Sequence, residues 1–384
     1  MSARGGGTNT MSNILDYIHW RGDIPFSCFP VGEVDGLILS QLSMFRWEAG
    51  WSRPCLIRDL SSVLEAEPVS VGFTTDNDKK LLDMILRSER FGNIKITDFV
   101  CEVNAENEKQ FAAITLHLAE GMTFISYRGT DKSITGWKED CNMAFSKPVP
   151  AQEQAAEYLT AIAEKYPGAI QIGGHSKGGN LAMYAATNVD EKVRERISAV
   201  YNYDGPGLSD KMDASSLYKR ISGRLHSYVP HGSLVGMLLA HPDKYTVVKS
   251  NSIGVLQHDP YSWQVDGPSF VKMDSLAQES VMFDHTFRQW LSGISEEQRE
   301  ELVDTFFNIL NATKAEAFDK EFWIRLAENS KEVRTAIEGV SPETKNRITA
   351  MLSDFAKIQK QQRPGILDRA KMAVESFVKG EGIV

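Results

Sequence analysis

Long apolar runs are missing from this chain. None approaches the roughly 18 uninterrupted residues that a membrane-crossing helix takes, so the sequence predicts no integral membrane segment. Cysteine is scarce as well. Cys28, Cys55, Cys101 and Cys141 are scattered, without the spacing of a metal site. They read as reduced thiols, which points to a cytoplasmic protein that needs no metal or cofactor. Positive charge is in deficit: the net charge is −9 and no basic stripe stands out. That argues against a nucleic-acid partner and against tight electrostatic binding to anionic membranes. The first ten residues lack the apolar stretch of a signal peptide. They are expected to form a flexible leader, with Met11 as an alternative start.

What remains is an ordinary globular composition in 384 residues, enough to bury one large core or two moderate ones. Residues 11–60 carry Tyr17, Trp20, Phe26, Phe29, Phe45, Trp47 and Trp51, and read as a cap packed on a core. A helix is expected over 76–86, strands over 111–118 and 122–127, and an amphipathic helix over 152–165. Further strands are expected over 197–203, 225–229 and 245–249. The alternation predicts a mostly parallel central sheet with helices on both faces. Residues 276–384 read as a helical C-terminal region, which leaves 11–275 for the sheet domain.

The stretch 169–186 carries the chemistry. Ala169-Ile-Gln-Ile172 reads as a buried strand, Gly174-His-Ser-Lys-Gly178 as a sharp turn, and Asn180-Leu-Ala-Met-Tyr-Ala-Ala186 as a helix. Strand, serine turn and helix in that order make the nucleophile elbow of an α/β-hydrolase. A serine hydroxyl there needs a histidine base, a carboxylate to orient the histidine, and donors for an oxyanion. In this fold the chain order is serine, acid, histidine. His19 and His117 precede Ser176 and fail that order, and the side chain of His175 is expected to leave the turn in another direction. His226 lies in a strand and His285 in a helix, while His231 and His241 flank a glycine-containing loop. His258 follows the last expected strand, which makes it the candidate base. Asp204 ends the strand after the elbow helix and precedes Gly205-Pro-Gly207. It is the candidate acid, weighed evenly against a turn aspartate that caps its own backbone. Asp243 and Asp259 are its rivals. The oxyanion donors are assigned to Thr130, in Arg128-Gly-Thr-Asp131, and to the amide of Lys177.

Three segments resemble class 3 lipases, the fungal triacylglycerol lipase type of α/β-hydrolase. They are Tyr127-Arg-Gly-Thr-Asp131 with Trp137 and Asp140 downstream, Gly174-His-Ser-Lys-Gly178, and His258-Asp-Pro-Tyr-Ser-Trp263. A bacterial branch of lipase-like proteins of unknown function is more similar still. It shares Trp20-Arg-Gly-Asp23, Asp204-Gly-Pro-Gly207 and His258-Asp-Pro260. The resemblance spans about residues 13–270. It implies the oxyanion role for Thr130, the nucleophile role for Ser176 and the base role for His258. The reaction implied is cleavage of a carboxylic ester through an acyl-enzyme, with a small acyl ester or lipid such as a lysophospholipid or acylglycerol as substrate. Three departures stand out. Where the family places its acid, in a loop ending Val-Pro, this chain has His226-Ser-Tyr-Val-Pro230 and no carboxylate. Either Asp204 takes that role, or a Ser–His dyad operates, or the protein binds a ligand without turnover. Lys177 stands where lipases carry an apolar residue, which is expected to put a cation beside the nucleophile. No long apolar lid helix is legible between Gly129 and Asp140.

Overall fold

The computed structural model describes residues 12–362, except 73, 144–147, 210–213, 243 and 318–319. The leader and the rival acid Asp243 therefore lie outside the described residues, as does the C-terminal stretch from 363 onward. Strands β1 (Cys55–Leu56), β2 (Lys95–Asn104), β3 (Lys109–Ala119) and β4 (Met122–Tyr127) form an antiparallel wing. Then β5 (Ala169–His175), β6 (Ile197–Tyr203), β7 (Leu225–Pro230) and β8 (Thr246–Val248) continue it, each parallel to its predecessor from β4 onward. A small hairpin follows, β9 (Val265–Asp266) with β10 (Ser269–Phe270). Strand β11 (Lys272–Met273) then closes the far edge against β8. The order of the nine-stranded sheet is β1-β2-β3-β4-β5-β6-β7-β8-β11. The five-strand parallel core and the position of the elbow make this an α/β-hydrolase architecture.

Both faces are covered because both faces of the central strands are apolar, as parallel sheets require. Ile114, Leu116, Phe124, Tyr201 and Tyr203 point to one side, and α1 (Ile14–Arg21), α2 (Glu33–Gln41) and α3 (Thr75–Arg87) close over them. The short α4 (Glu89–Gly92) follows on the same side. Phe111, Ala113, Ile125, Ile172 and Val200 point to the other side. The chain places α5 (Ile134–Met143) near that face, then packs α6 (Pro150–Lys165) and α7 (Lys177–Asn188) on it. Residues 12–60 are thus no cap. Ile14, Tyr17, Ile18, Val34, Leu37, Ile38, Phe45 and Trp47 are fully or nearly fully buried and make up much of one core layer. A buried ion pair ties that layer down: Arg90 holds Asp35 through two hydrogen bonds of 2.7 Å, and Tyr17 donates to the same carboxylate at 2.9 Å.

After α8 (Glu191–Arg196) and α9 (Ala214–Ile221), the last described elements are α10 (Gln278–Ser292), α11 (Glu296–Asn311), α12 (Lys320–Glu328), α13 (Ser330–Gly339) and α14 (Pro342–Gln362). Two of these helices, α11 and α12, meet α5: Ile134 packs with Val303, Phe307, Leu310 and Phe322, while α10 reaches the sheet domain through Arg288, which donates to the Leu239 carbonyl at 2.6 Å. The amide of Ile134 also donates to the carbonyl of Glu316 at 2.9 Å. No helix among the described residues is long and apolar enough to cross a membrane.

Candidate active site

Register brings the site together. Along the parallel core Tyr127 pairs with Gly174, His175 with Tyr203, and Tyr203 with Tyr228. The strands therefore end level, and the residues just past their C-terminal ends gather on one edge. Thr130 follows β4, Ser176 follows β5, and Asp204 follows β6. His258 arrives beyond β8, at the end of a single 3-10 turn, Gly254–His258.

Ser176 has φ 57° and ψ −133°, a conformation that L-residues rarely adopt. The turn is tight because its glycines touch: a Cβ on Gly174 would sit 2.2 Å from the carbonyl carbon of Gly178. The oxyanion candidate lies close by. A Cβ on Gly129 would come within 2.8 Å of the His175 carbonyl oxygen and 3.5 Å of the Ser176 Cβ. The next residue is Thr130. Lys177 is the first residue of α7, so its amide is among those that a helix leaves without an internal acceptor.

Asp204 is fully buried, with φ 51°. Its carboxylate does not cap its own turn. Oδ2 lies 2.7 Å from Nδ1 of His258, and Oδ1 accepts from the Ser233 hydroxyl and, at 3.1 Å, from the Gly236 amide. Because a carboxylate can only accept there, Nδ1 of His258 carries a proton, and in the neutral ring Nε2 keeps its lone pair. Asp259 is occupied otherwise, capping the turn Pro260–Ser262 through the Tyr261 amide at 3.0 Å.

His175 does not turn away as expected. Its ring lies 4.6 Å from that of His258, centroid to centroid, and its Nε2–H donates to the His258 carbonyl at 2.9 Å. Burial, reinforced by the neighbouring His258, pushes its pKa well below the usual histidine value. Sequence order excluded it as a base, and its adjacency to Ser176 was the one signal that could have marked it as a partner. His226 packs on the ring of Tyr201, His231 donates to the Ser275 carbonyl at 2.8 Å, and His241 lies 3.9 Å from Asp284. None of these three has its described partner at the elbow.

The expectation of a cation beside the nucleophile is corrected. Lys177 is buried and its Nζ runs into the interior, donating to Glu139 and to the Gln110 carbonyl at 2.9 Å. The apolar neighbours of an elbow helix leave no wet surface at its first turn, so a lysine there must find a buried acid. Glu139 is that acid, and it lies on α5. This ten-residue helix also carries Lys138 and Asp140, and it is not an apolar lid. Thr130 donates its hydroxyl to Asp140. Burial raises the Asp140 pKa to about 6, against the opposing pull of Lys177 and the Thr130 hydroxyl. Ahead of His258, Ile253, Val255 and Leu256 stand 79%, 60% and 64% exposed.

The sequence model of the Mbeg1-like family matches residues 85–308, more than half of the chain. No curated protein is detectably similar to it in sequence. Among solved structures, M37 lipase aligns at a TM-score of 0.32 and 16% identity, over 44% of this chain and 65% of its own. The Rhizomucor miehei lipase in its propeptide complex aligns at a TM-score of 0.34 and 16% identity, over 53% of this chain and 67% of its own. This chain thus spans just under two thirds of the first and about two thirds of the second.

Proposed function

This chain belongs to the Mbeg1-like family, and we propose that it is a lipase-like serine hydrolase cleaving a carboxylic ester. The observation that carries the reading is the buried Asp204 on Nδ1 of His258, gathered with Ser176 and Thr130 at one sheet edge. Nε2 of His258 takes the Ser176 proton as Oγ attacks the acyl carbon. The resulting oxyanion is held by the amides of Thr130 and Lys177. The protonated imidazole, steadied by Asp204, returns the proton to the leaving alcohol. Water then repeats the sequence on the acyl-enzyme.

The exposed Ile253, Val255 and Leu256 beside the base favour an acyl chain over a polar substrate. A lysophospholipid or an acylglycerol fits that description, in a cytoplasmic setting. We place the chain with the bacterial lipase-like branch of the class 3 type, with 11–275 as the hydrolase domain and 276–384 as a helical extension. The alternative of a binding protein without turnover rests on an acid missing from the family's usual loop and on the long helical C-terminal region. The Asp204 carboxylate on His258 supports turnover over that alternative.

The test is labelling by a fluorophosphonate probe, with turnover of p-nitrophenyl esters of rising chain length. Ser176→Ala serves as the control. Labelling and turnover that vanish in the control support the reading. A folded wild-type protein that does neither overturns it.

A further inference from the structure

The two proposed oxyanion donors stand on different elements, Thr130 on the turn after β4 and Lys177 at the start of α7. Their separation has to be held, since donors work only within hydrogen-bond reach of the developing charge. We infer that the buried Lys177–Glu139 ion pair sets the two donors in register, so that Lys177 serves as a donor through its amide and as a positioning residue through its side chain. This inference rests on the hydrolase reading above.

Both side chains of the pair are 1% exposed. The ammonium has three protons and three acceptors: Glu139 Oε2, the Gln110 carbonyl at 2.9 Å and Gln110 Oε1 at 3.2 Å. Glu139 spends both of its oxygens on more than the lysine. Oε2 also accepts the Gln110 amide at 2.9 Å, and Oε1 accepts the Ala151 amide at the start of α6, also at 2.9 Å. From there the contacts reach the other donor by two routes. Gln110 Nε2 donates to the carbonyl of Gly129, one residue before Thr130, at 3.5 Å. Asp140, next to Glu139 in α5, accepts the Thr130 hydroxyl, and its Oδ1 lies 3.9 Å from the Lys177 ammonium. The elbow lysine, β3, α5 and the Thr130 turn thus form one connected polar unit beneath the site.

Stability alone does not call for such a unit. Taking two charges out of water costs several kcal/mol for each ion, and apolar residues of similar volume commonly do as well or better. What the pair adds is direction, because an ammonium with three fixed acceptors and a carboxylate with three fixed donors leave little play between the elements that carry them. A displacement of about 1 Å in a catalytic group costs on the order of 100-fold in rate.

The double variant K177M/E139Q tests this. It removes both charges of the pair together, so that neither is left buried without the other, and it retains the backbone amide of residue 177. Any loss of rate is then a loss of position and not of a donor. The measurements are urea unfolding, the second-order rate of fluorophosphonate labelling, and kcat and KM on a p-nitrophenyl ester. The expected result is a folded protein, less stable than wild type because glutamine offers only one acceptor oxygen to the Gln110 and Ala151 amides, with labelling rate and kcat down about 10- to 100-fold and KM within about twofold. E139D is the second variant. It keeps the charge pair but draws the carboxylate back by one methylene, and the same split between kcat and KM is expected of it. Folded variants that label at the wild-type rate overturn the inference while leaving the hydrolase reading intact. If the double variant does not fold, E139D decides in the same way. A wild-type protein that neither labels nor turns over removes the hydrolase reading, and this inference with it.

Discussion

Nδ1 of His258 lies 2.7 Å from Oδ2 of Asp204, 54 positions earlier in the chain, and the Asp204 carboxylate is fully buried. Asp204→Asn keeps the shape but offers Nδ1 a donor as readily as an acceptor. The favoured imidazole tautomer then shifts the proton to Nε2, where the lone pair is needed. The expected loss is about 10⁴-fold in kcat with KM little changed, read from ester hydrolysis at saturating and limiting substrate.

Ser176 sits at φ 57°. A strained residue of this kind stores about 1–3 kcal/mol, which glycine does not incur. Ser176→Gly is therefore expected to be inert towards the fluorophosphonate probe and more stable than Ser176→Ala by about 1 kcal/mol. Urea unfolding of the two variants side by side gives the comparison. Equal midpoints would remove the claim of strain.

His175 stays neutral in the folded protein because burial and the adjacent His258 hold its pKa well below the ordinary value. In the unfolded chain it takes up a proton below about pH 6.5. The unfolded state then binds more protons than the native state, so this residue costs stability as pH falls through and below that value. His175→Phe keeps a ring against His258 without the titration. It is expected to lose less stability than wild type between pH 7.5 and 5, as followed by urea midpoints across about that range. A parallel loss in both proteins would show that His175 titrates normally.

Arg90 and Asp35 pair at 0% and 1% exposure, far from the elbow in sequence. Arg90 also donates to the carbonyls of Ile24, Phe29 and Pro30. Arg90→Met leaves Asp35 as a buried charge without its cation, an expected loss of about 3–5 kcal/mol. The labelling rate per folded molecule is expected to hold, because the pair fastens the N-terminal layer and touches nothing at Ser176. Active-site titration alongside urea unfolding separates the two effects.

Local pattern alone determined a good deal. Glycines around a serine, a buried strand before and a small-residue helix after define the elbow, because that backbone path tolerates few other residues. Strand β6 was legible to the residue, since Ile197, Ala199, Val200, Tyr201 and Tyr203 give Ile197–Tyr203 a β-branched and aromatic composition. Strand β2 was not read. Its alternation is broken by a register shift between Ile96 and Asp98, and much of it is only half buried. The aromatic N-terminal segment showed its apolar content but not its place, because its helices are short and α2 is buried on all sides, which leaves no clear period.

The partner of Asp204 and the fate of Lys177 were legible only in three dimensions. Asp204 as a capping aspartate and Asp204 as a partner of His258 are the same four residues in sequence. Only the level ends of the parallel strands and the return of the chain after β8 bring the carboxylate to Nδ1. A lysine beside a nucleophile looks like a surface cation until the interior offers it Glu139, 38 positions away. Sequence fixes which groups are present and the local backbone that each can adopt. Which charge meets which is set by sheet register and by the low dielectric of a closed core, where an unpaired ion is too costly to leave alone.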